Sequence, residues 1–270
     1  MNRSSRLSRV TVSLPVLSVA SAVTLALALS LVFFYAPLDA EQGFLQKIFY
    51  LHVPLAIVSL GGFVIAALLA VMHLRTRDPR WDMRSYVAIH IGLIFAVATL
   101  ITGSIWARGS WGHWWVWSEP TLVSFLIVFL LYATYQPLRF AIEDSERQAR
   151  YASVFAITAG AFVPMNFIAV RLATAYLHPR VLGSTSNLPP QMALTFVVSL
   201  VAIALLYATL CNAELTAKRT RMQLRALRRA AEARAGAGEH PGAVSRRARS
   251  AAPSLGTAGT LAAQAPRGGV

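Results

Sequence analysis

The stretch YLHVPLAIVSLGGFVIAALLAVMH, residues 50–73, decides the fold, because its 24 residues include no Asp, Glu, Lys or Arg. A helix of that length rises far enough to cross a hydrocarbon core of about 30 Å. Backbone groups inside a bilayer must bond within their own segment, so a helix is expected. Similar apolar runs occupy residues 11–36, 86–105, 121–141, 151–170 and 191–213. The sequence therefore predicts an all-α, polytopic integral membrane protein built as a bundle of six transmembrane helices.

The formal charge of +14 follows the predicted topology and does not indicate a nucleic-acid-binding face. Of the 25 basic residues, 21 lie before the first run, in 74–85, in 142–150 and its edge, or from Lys218 onward. The remaining four are Lys47, Arg108, Arg171 and Arg180. By the positive-inside rule, both termini are expected in the cytoplasm, and loops 37–49, 106–120 and 171–190 face outward. No nucleic-acid partner is predicted.

Three regions follow from the composition. Residues 1–213 form the predicted membrane domain, in which the first run is interpreted as a retained helix rather than a signal peptide because its apolar stretch is long. Residues 214–235 are rich in Ala and Arg and predict a basic cytoplasmic helical extension. Residues 236–270 are rich in Gly, Ala, Pro, Ser and Arg, which is typical of a disordered basic tail.

Four tryptophans fall within seven positions of the stretch WGHWWVWSEP, residues 111–120. Tryptophan anchors helices at the level of the lipid headgroups, so an aromatic belt is one interpretation. The alternative is a loop platform for a large, flat, apolar ligand such as a porphyrin, with Gly109 and Gly112 allowing the backbone to bend. The spacing of the tryptophans does not separate these two interpretations.

Three of the six histidines lie on the predicted outer side: His52, His113 and His178. A haem iron takes imidazole as an axial ligand, and two histidines on either side of a tryptophan loop are an uncommon arrangement. Arg108 and Arg180 are placed in the sequence to meet propionate carboxylates, whereas Arg171 is more typical of an interfacial anchor. These histidines favour the ligand platform over the belt.

The segments TGSIWARGSWGHWWVWSEPTL and IFYLHVPLAI resemble the haem exporter protein C (CcmC-type) family of tryptophan-rich haem-handling proteins. The resemblance covers about residues 40–210. It implies a bacterial inner-membrane protein that binds haem b on the periplasmic face, with His52 and His178 as iron ligands. The motif positions are Trp111, Gly112, Trp114, Trp115 and Trp117. Ser118 stands where the family motif carries Asp, and Glu119 follows it.

The resemblance further implies delivery of haem to a membrane-anchored haem chaperone of the CcmE type, beside ABC transporter subunits of the cytochrome c maturation complex. No covalent chemistry is expected of this chain. Two alternatives stay open at this point. A haem lyase shares the tryptophan motif but is usually longer, and a transporter would use the loop only as a belt. Transporters usually carry polar groups at the midplane of their spans, and these runs are nearly free of charge.

Overall fold

A computed structural model of the chain describes residues 13–172, 178 and 188–238, and the side chains at 169–172 and 235–238 fall outside that description. The described residues form helices joined by short turns, with one isolated bridge between Asp39 and Gly43. The α-helices are α1 (Leu14–Ser30), α2 (Phe49–Thr76), α3 (Pro79–Trp111), α4 (Pro120–Phe140), α5 (Ser145–Leu172) and α6 (Pro190–Gly238). A π-helical turn, Leu31–Tyr35, extends α1, and a 3₁₀ helix, Phe44–Ile48, leads into α2.

All six predicted runs are confirmed as helices long and apolar enough to cross a membrane. Four of the helices, α2, α3, α5 and α6, extend past the predicted limits because polar end residues continue the hydrogen-bonded ladder. The third run, predicted at 86–105, lies within α3, which starts at Pro79 and ends at Trp111. Asp78 begins α3 by accepting a hydrogen bond from the Arg80 backbone N–H. Hydrogen bonds from the Arg80 side chain and backbone hold the pKa of Asp78 below its usual value.

The centre of the bundle is built from α2, α3, α4 and α5. Phe63 of α2 stacks on Tyr132 of α4, with ring centroids 4.0 Å apart. Gly160 of α5 lets that helix approach α2, because a Cβ at this position would lie 2.5 Å from the Cβ of Ala67. α6 joins the bundle through Tyr207, whose hydroxyl donates to the carbonyl of Ala88 at 2.8 Å. Close packing of small residues is how membrane helices associate.

Lys47 fastens the end of α1 to the segment that precedes α2. Its side chain is only 8% exposed, and its Nζ donates to the carbonyls of Val32 at 2.6 Å and Ala36 at 2.7 Å. A lysine ammonium at the C-terminal end of a helix meets both unpaired carbonyls and the negative end of the helix dipole. This contact fixes the helix end beside the start of α2.

At the other end of the bundle, α3 and α4 are joined by a buried ion pair. Arg139 donates to Asp82 through both terminal nitrogens, at 2.7 and 2.6 Å, and also to the Tyr135 hydroxyl at 3.1 Å. Nearby, His73 of α2 pairs through Nδ1 with the Ser153 hydroxyl of α5 at 2.8 Å. His73 is buried, although it lies near the end of its helix.

The described residues fall into two compact units that divide between Lys218 and Arg219. In the second unit the helix continues to Gly238, and its described side chains are exposed. The predicted domain limits at 213 and 235 stay a prediction. Residues 239–270, the greater part of the predicted tail, lie outside the described residues.

Candidate functional site

The start of α2 and the end of α3 meet at one end of the bundle, which we call the tryptophan end. His52 lies in the first turns of α2, and Trp106 and Trp111 lie in the last turns of α3. His178 also lies there. The histidine–tryptophan site consists of these four residues.

The ring of His52 is held by two groups of α3. Its Nδ1 lies 3.1 Å from the carbonyl oxygen of Thr99 and 3.1 Å from the hydroxyl oxygen of Thr102. A carbonyl can only accept, and the Thr102 hydroxyl donates to the Ala98 carbonyl, so the imidazole proton belongs on Nδ1. The Nε2 atom then carries the free lone pair. Histidines that bind metals are oriented in this way, with the second ring nitrogen donating to a carbonyl or carboxylate.

Gly103 of α3 leaves the space that the His52 ring occupies. A Cβ at position 103 would lie 2.7 Å from the Cε1 atom of His52, closer than real side-chain contacts allow. Thr99, Thr102 and Gly103 therefore fix the ring from one helix. Sequence reasoning did not single out these three residues, although two hydroxyl residues and a glycine within one turn of an apolar span were a usable signal.

The structure brings the two predicted histidines together. The ring centroids of His52 and His178 are 6.4 Å apart, although the residues are 126 positions apart in the chain. Two imidazoles that share one metal ion stand with their centres about 6 Å apart, since each nitrogen lies about 2 Å from the metal. The spacing therefore suits one ion between the rings.

Two tryptophans surround this pair. The ring of Trp111 packs edge to face on that of His178, with ring centroids 6.3 Å apart. The ring of Trp106 packs in the same way on that of His52, with centroids 5.9 Å apart. Trp106 is further fixed because its Nε1 donates to the Gln42 side chain at 2.7 Å. One indole ring therefore lies against each of the two imidazoles.

The other motif residues lie on the turn between α3 and α4. The ring centroids of Trp115 and Trp117 are 5.9 Å apart and the ring planes are inclined by 64°, so the two rings do not form one flat surface. Trp114 and Trp117 are mostly exposed, at 60% and 73%. The Nε1 donor of Trp115 is buried, and no acceptor within the described residues pairs with it.

Of the two glycines expected to let the backbone bend, Gly112 does so and Gly109 does not. The helix continues through Gly109, where the absent Cβ admits the Leu45 side chain, and it ends at Gly112, which has a φ of 77°. Arg108 is exposed and donates to the Gly112 carbonyl, which fixes this turn. Glu119, beside Ser118, is buried and begins α4. Arg180, the second arginine expected to meet propionates, lies outside the described residues, and nothing is described of the Arg171 side chain.

Six membrane-length helices, with paired imidazoles and indoles at one end, define a polytopic membrane protein with a candidate site at its helix ends. The model of the family Heme exporter protein C matches residues 2–234. The chain is 31% identical to Heme exporter protein C of Rhodobacter capsulatus over 221 residues, covering 80% of this chain and 88% of that protein. It is also 31% identical to that of Bradyrhizobium diazoefficiens over 237 residues, covering 86% and 89%. The chain belongs to the Heme exporter protein C family.

A mitochondrial relative is also similar over part of the chain. A putative cytochrome c biosynthesis ccmC-like protein of Marchantia polymorpha is 38% identical over 130 residues, covering 48% of this chain and 54% of that protein. The family model and the two bacterial relatives confirm the family expected from the sequence motifs.

Proposed function

We propose that this protein binds haem at the histidine–tryptophan site and passes it on for cytochrome c maturation. Its family points to a component of haem export rather than to an enzyme. The observation that carries the proposal is the pair His52 and His178, spaced for one iron, with the His52 ring oriented by the Thr99 carbonyl. Two imidazoles supply two ligands to an octahedral iron, and a porphyrin supplies the other four.

The residues around the pair suit the rest of the haem. Trp106 and Trp111 offer apolar ring surface beside the imidazoles. The indole N–H of Trp115 is a buried donor and Arg108 is an exposed cation on the adjoining turn, and propionate carboxylates accept from both kinds of group. In this proposal haem b is the cargo, His52 and His178 hold its iron, and the motif residues with Arg108 and Arg180 hold its periphery.

The proposed orientation places the tryptophan end in the periplasm of a bacterial inner membrane and both termini in the cytoplasm, because the basic loops lie at the opposite end. The exposed rings of Trp114 and Trp117 then face outward, where a membrane-anchored haem chaperone of the CcmE type would receive the haem. ABC transporter subunits of the maturation complex would drive release. Bis-histidine ligation keeps the iron saturated until the acceptor docks.

An absorption spectrum of detergent-purified protein from haem-replete cells tests the site. We expect a low-spin haem spectrum in the wild type, and a weakened or shifted spectrum in both His52→Ala and His178→Ala. The matched control is His113→Ala, which removes an exposed histidine from the same motif and should leave the spectrum unchanged.

Two results would contradict the proposal. Wild-type protein that carries no haem, even after reconstitution, would make the tryptophans an interfacial belt only. A spectrum that responds to His113→Ala but not to His178→Ala would assign the second ligand to His113.

A further inference from the structure

A groove opens between α3 and α4, in the half of the bundle away from the tryptophan end. Its volume is about 380 Å³, and it is lined by apolar side chains and one polar pair, His90 of α3 and Gln136 of α4. The groove exists because α4 packs mainly on α5 rather than on α3. Ile94 and Val97, which line it, are about half exposed, so the groove faces the lipid side of the bundle.

The polar pair lies within two candidate membrane spans, Pro79–Trp111 and Pro120–Phe140. His90 is six residues beyond Arg84, the last charged residue before it on α3, which corresponds to about 9 Å along the helix. An ionisable side chain within a membrane span raises the free energy of the inserted protein, and residues of this kind usually mark a functional site. The histidine–tryptophan site makes no use of His90, because Trp106 is 16 residues, or about 24 Å, further along the same helix.

The contact with Gln136 determines what His90 can bind. The Nε2 atom of Gln136 lies 2.9 Å from the Nδ1 atom of His90. An amide nitrogen only donates, so Nδ1 accepts, and the proton of the neutral ring belongs on Nε2. The groove therefore offers one N–H donor among apolar side chains. Its matching ligand has an apolar body and one acceptor.

The surroundings narrow the class of acceptor. The residues that line the groove include no cation to neutralise a carboxylate or a phosphate. A neutral carbonyl is the acceptor that enters hydrocarbon at the lowest desolvation penalty. Ester carbonyls of bilayer lipids stay near the headgroups, whereas a quinone carries its carbonyls on a flat apolar ring that moves through the hydrocarbon. The groove is shallow and open on its lipid side, so its ligand would enter from the bilayer.

We propose that the α3–α4 groove is a binding site for a membrane quinone, whose carbonyl accepts the hydrogen bond of His90. Phe129 and Leu93 contact the ring, and Gln136 fixes the tautomer of the imidazole that donates. The site is separate from the haem site and does not depend on it.

Quinone retention in nanodiscs tests this site. Full-length protein is reconstituted in phosphatidylcholine nanodiscs, and decylubiquinone retained after washing is compared with that in empty nanodiscs. We expect saturable retention of one molecule per protein above the partition background. His90→Leu removes the donor and should weaken binding at least tenfold. Ala133→Phe fills the groove without touching the polar pair and should abolish it.

Leu130→Phe is the matched control, because it enlarges an exposed side chain of α4 that does not line the groove. It should bind decylubiquinone as the wild type does. Circular dichroism and gel filtration show which variants fold. If His90→Leu does not fold, Ala133→Phe still tests the proposal. Retention equal to that of empty nanodiscs would overturn the proposal. So would wild-type retention in Ala133→Phe, or saturable phospholipid that decylubiquinone does not displace.

Discussion

The ring of His52 shows how much a single side chain depends on atoms that sequence motifs leave out. Its orientation is set by a backbone carbonyl of Thr99, a hydroxyl of Thr102 and the missing Cβ of Gly103. Substitution of Thr99 leaves its backbone carbonyl in place. Removal of the Thr102 hydroxyl still leaves that carbonyl as an acceptor for Nδ1 of His52. Gly103 is therefore the position at which the orientation of the ring is most sensitive to mutation.

Gly103→Ala should push the imidazole out of its position. The added Cβ meets the Cε1 atom of His52 at 2.7 Å, so the ring must move away from Thr99. Changes to groups that orient a metal-binding histidine lower affinity by about tenfold or more. We expect the same loss of haem, measured by absorption after reconstitution. Gly61→Ala is the control, since a Cβ at position 61 of α2 meets nothing within 4 Å. Equal losses in the two variants would contradict this role.

The sequence predicted the histidine pair but not the groups that hold it, and the reason is physical. Hydropathy depends on the composition of one segment, so residues 50–73 suffice to predict a span. The contact of His52 with Thr99 depends on how α2 and α3 pack, which brings together residues 47 positions apart. Lys47 is a similar case. It was one of four basic residues on the predicted outer side, and only the packed structure shows that it is buried against the end of α1.

Among the helices, α1 is held to the bundle at its end by Lys47. Lys47→Met keeps the length of the side chain but removes the ammonium, leaving the carbonyls of Val32 and Ala36 without this donor. Hydrogen bonds to a charged group contribute about 1.5–3 kcal/mol. We expect a loss of stability of about that size in an unfolding titration with SDS in mixed micelles. Lys218→Met, at a partly exposed lysine, should lose less. A smaller loss for Lys47→Met than for Lys218→Met would contradict the assignment.

The ion pair between α3 and α4 should behave as a buried pair. Asp82→Leu leaves the Arg139 guanidinium buried without its carboxylate, and breaking such a pair typically costs about 3–5 kcal/mol. Adding Arg139→Met removes the unpaired charge and should recover most of that loss. The double-mutant cycle is measured by the same titration.

Glu146→Ala breaks an exposed pair with Arg150 and serves as the control, for which little change is expected. A double variant no more stable than Asp82→Leu would show that the two groups do not act as a pair.

At the scale of the whole molecule, the two ends of the bundle differ in chemistry. Indoles and imidazoles collect where α2 begins and α3 ends, and arginines collect at the other end. By the positive-inside rule, the end that carries the arginines is predicted to stay in the cytoplasm. The orientation follows from the loops together rather than from any one residue.

Cysteine labelling checks this orientation in intact cells. Cys211, the single cysteine of the sequence, is first replaced by Ser. In that background, His113→Cys should react with a membrane-impermeant maleimide added outside, after the outer membrane has been permeabilised. Glu143→Cys, on the turn between α4 and α5, should react only after lysis. Both positions are exposed, so accessibility within the protein is matched. Labelling of Glu143→Cys before lysis would reverse the proposed topology.

The contact between His52 and α3 has a consequence for how the protein is made. The ring and the three residues that hold it belong to consecutive helices joined by the turn Arg77–Asp78, so they form one hairpin. During synthesis the ribosome completes that hairpin well before it reaches codon 178. The first proposed ligand, His52, is therefore oriented at an early stage of membrane insertion, and the second proposed ligand, His178, joins it later. Assembly of the pair is ordered in time by the direction of translation.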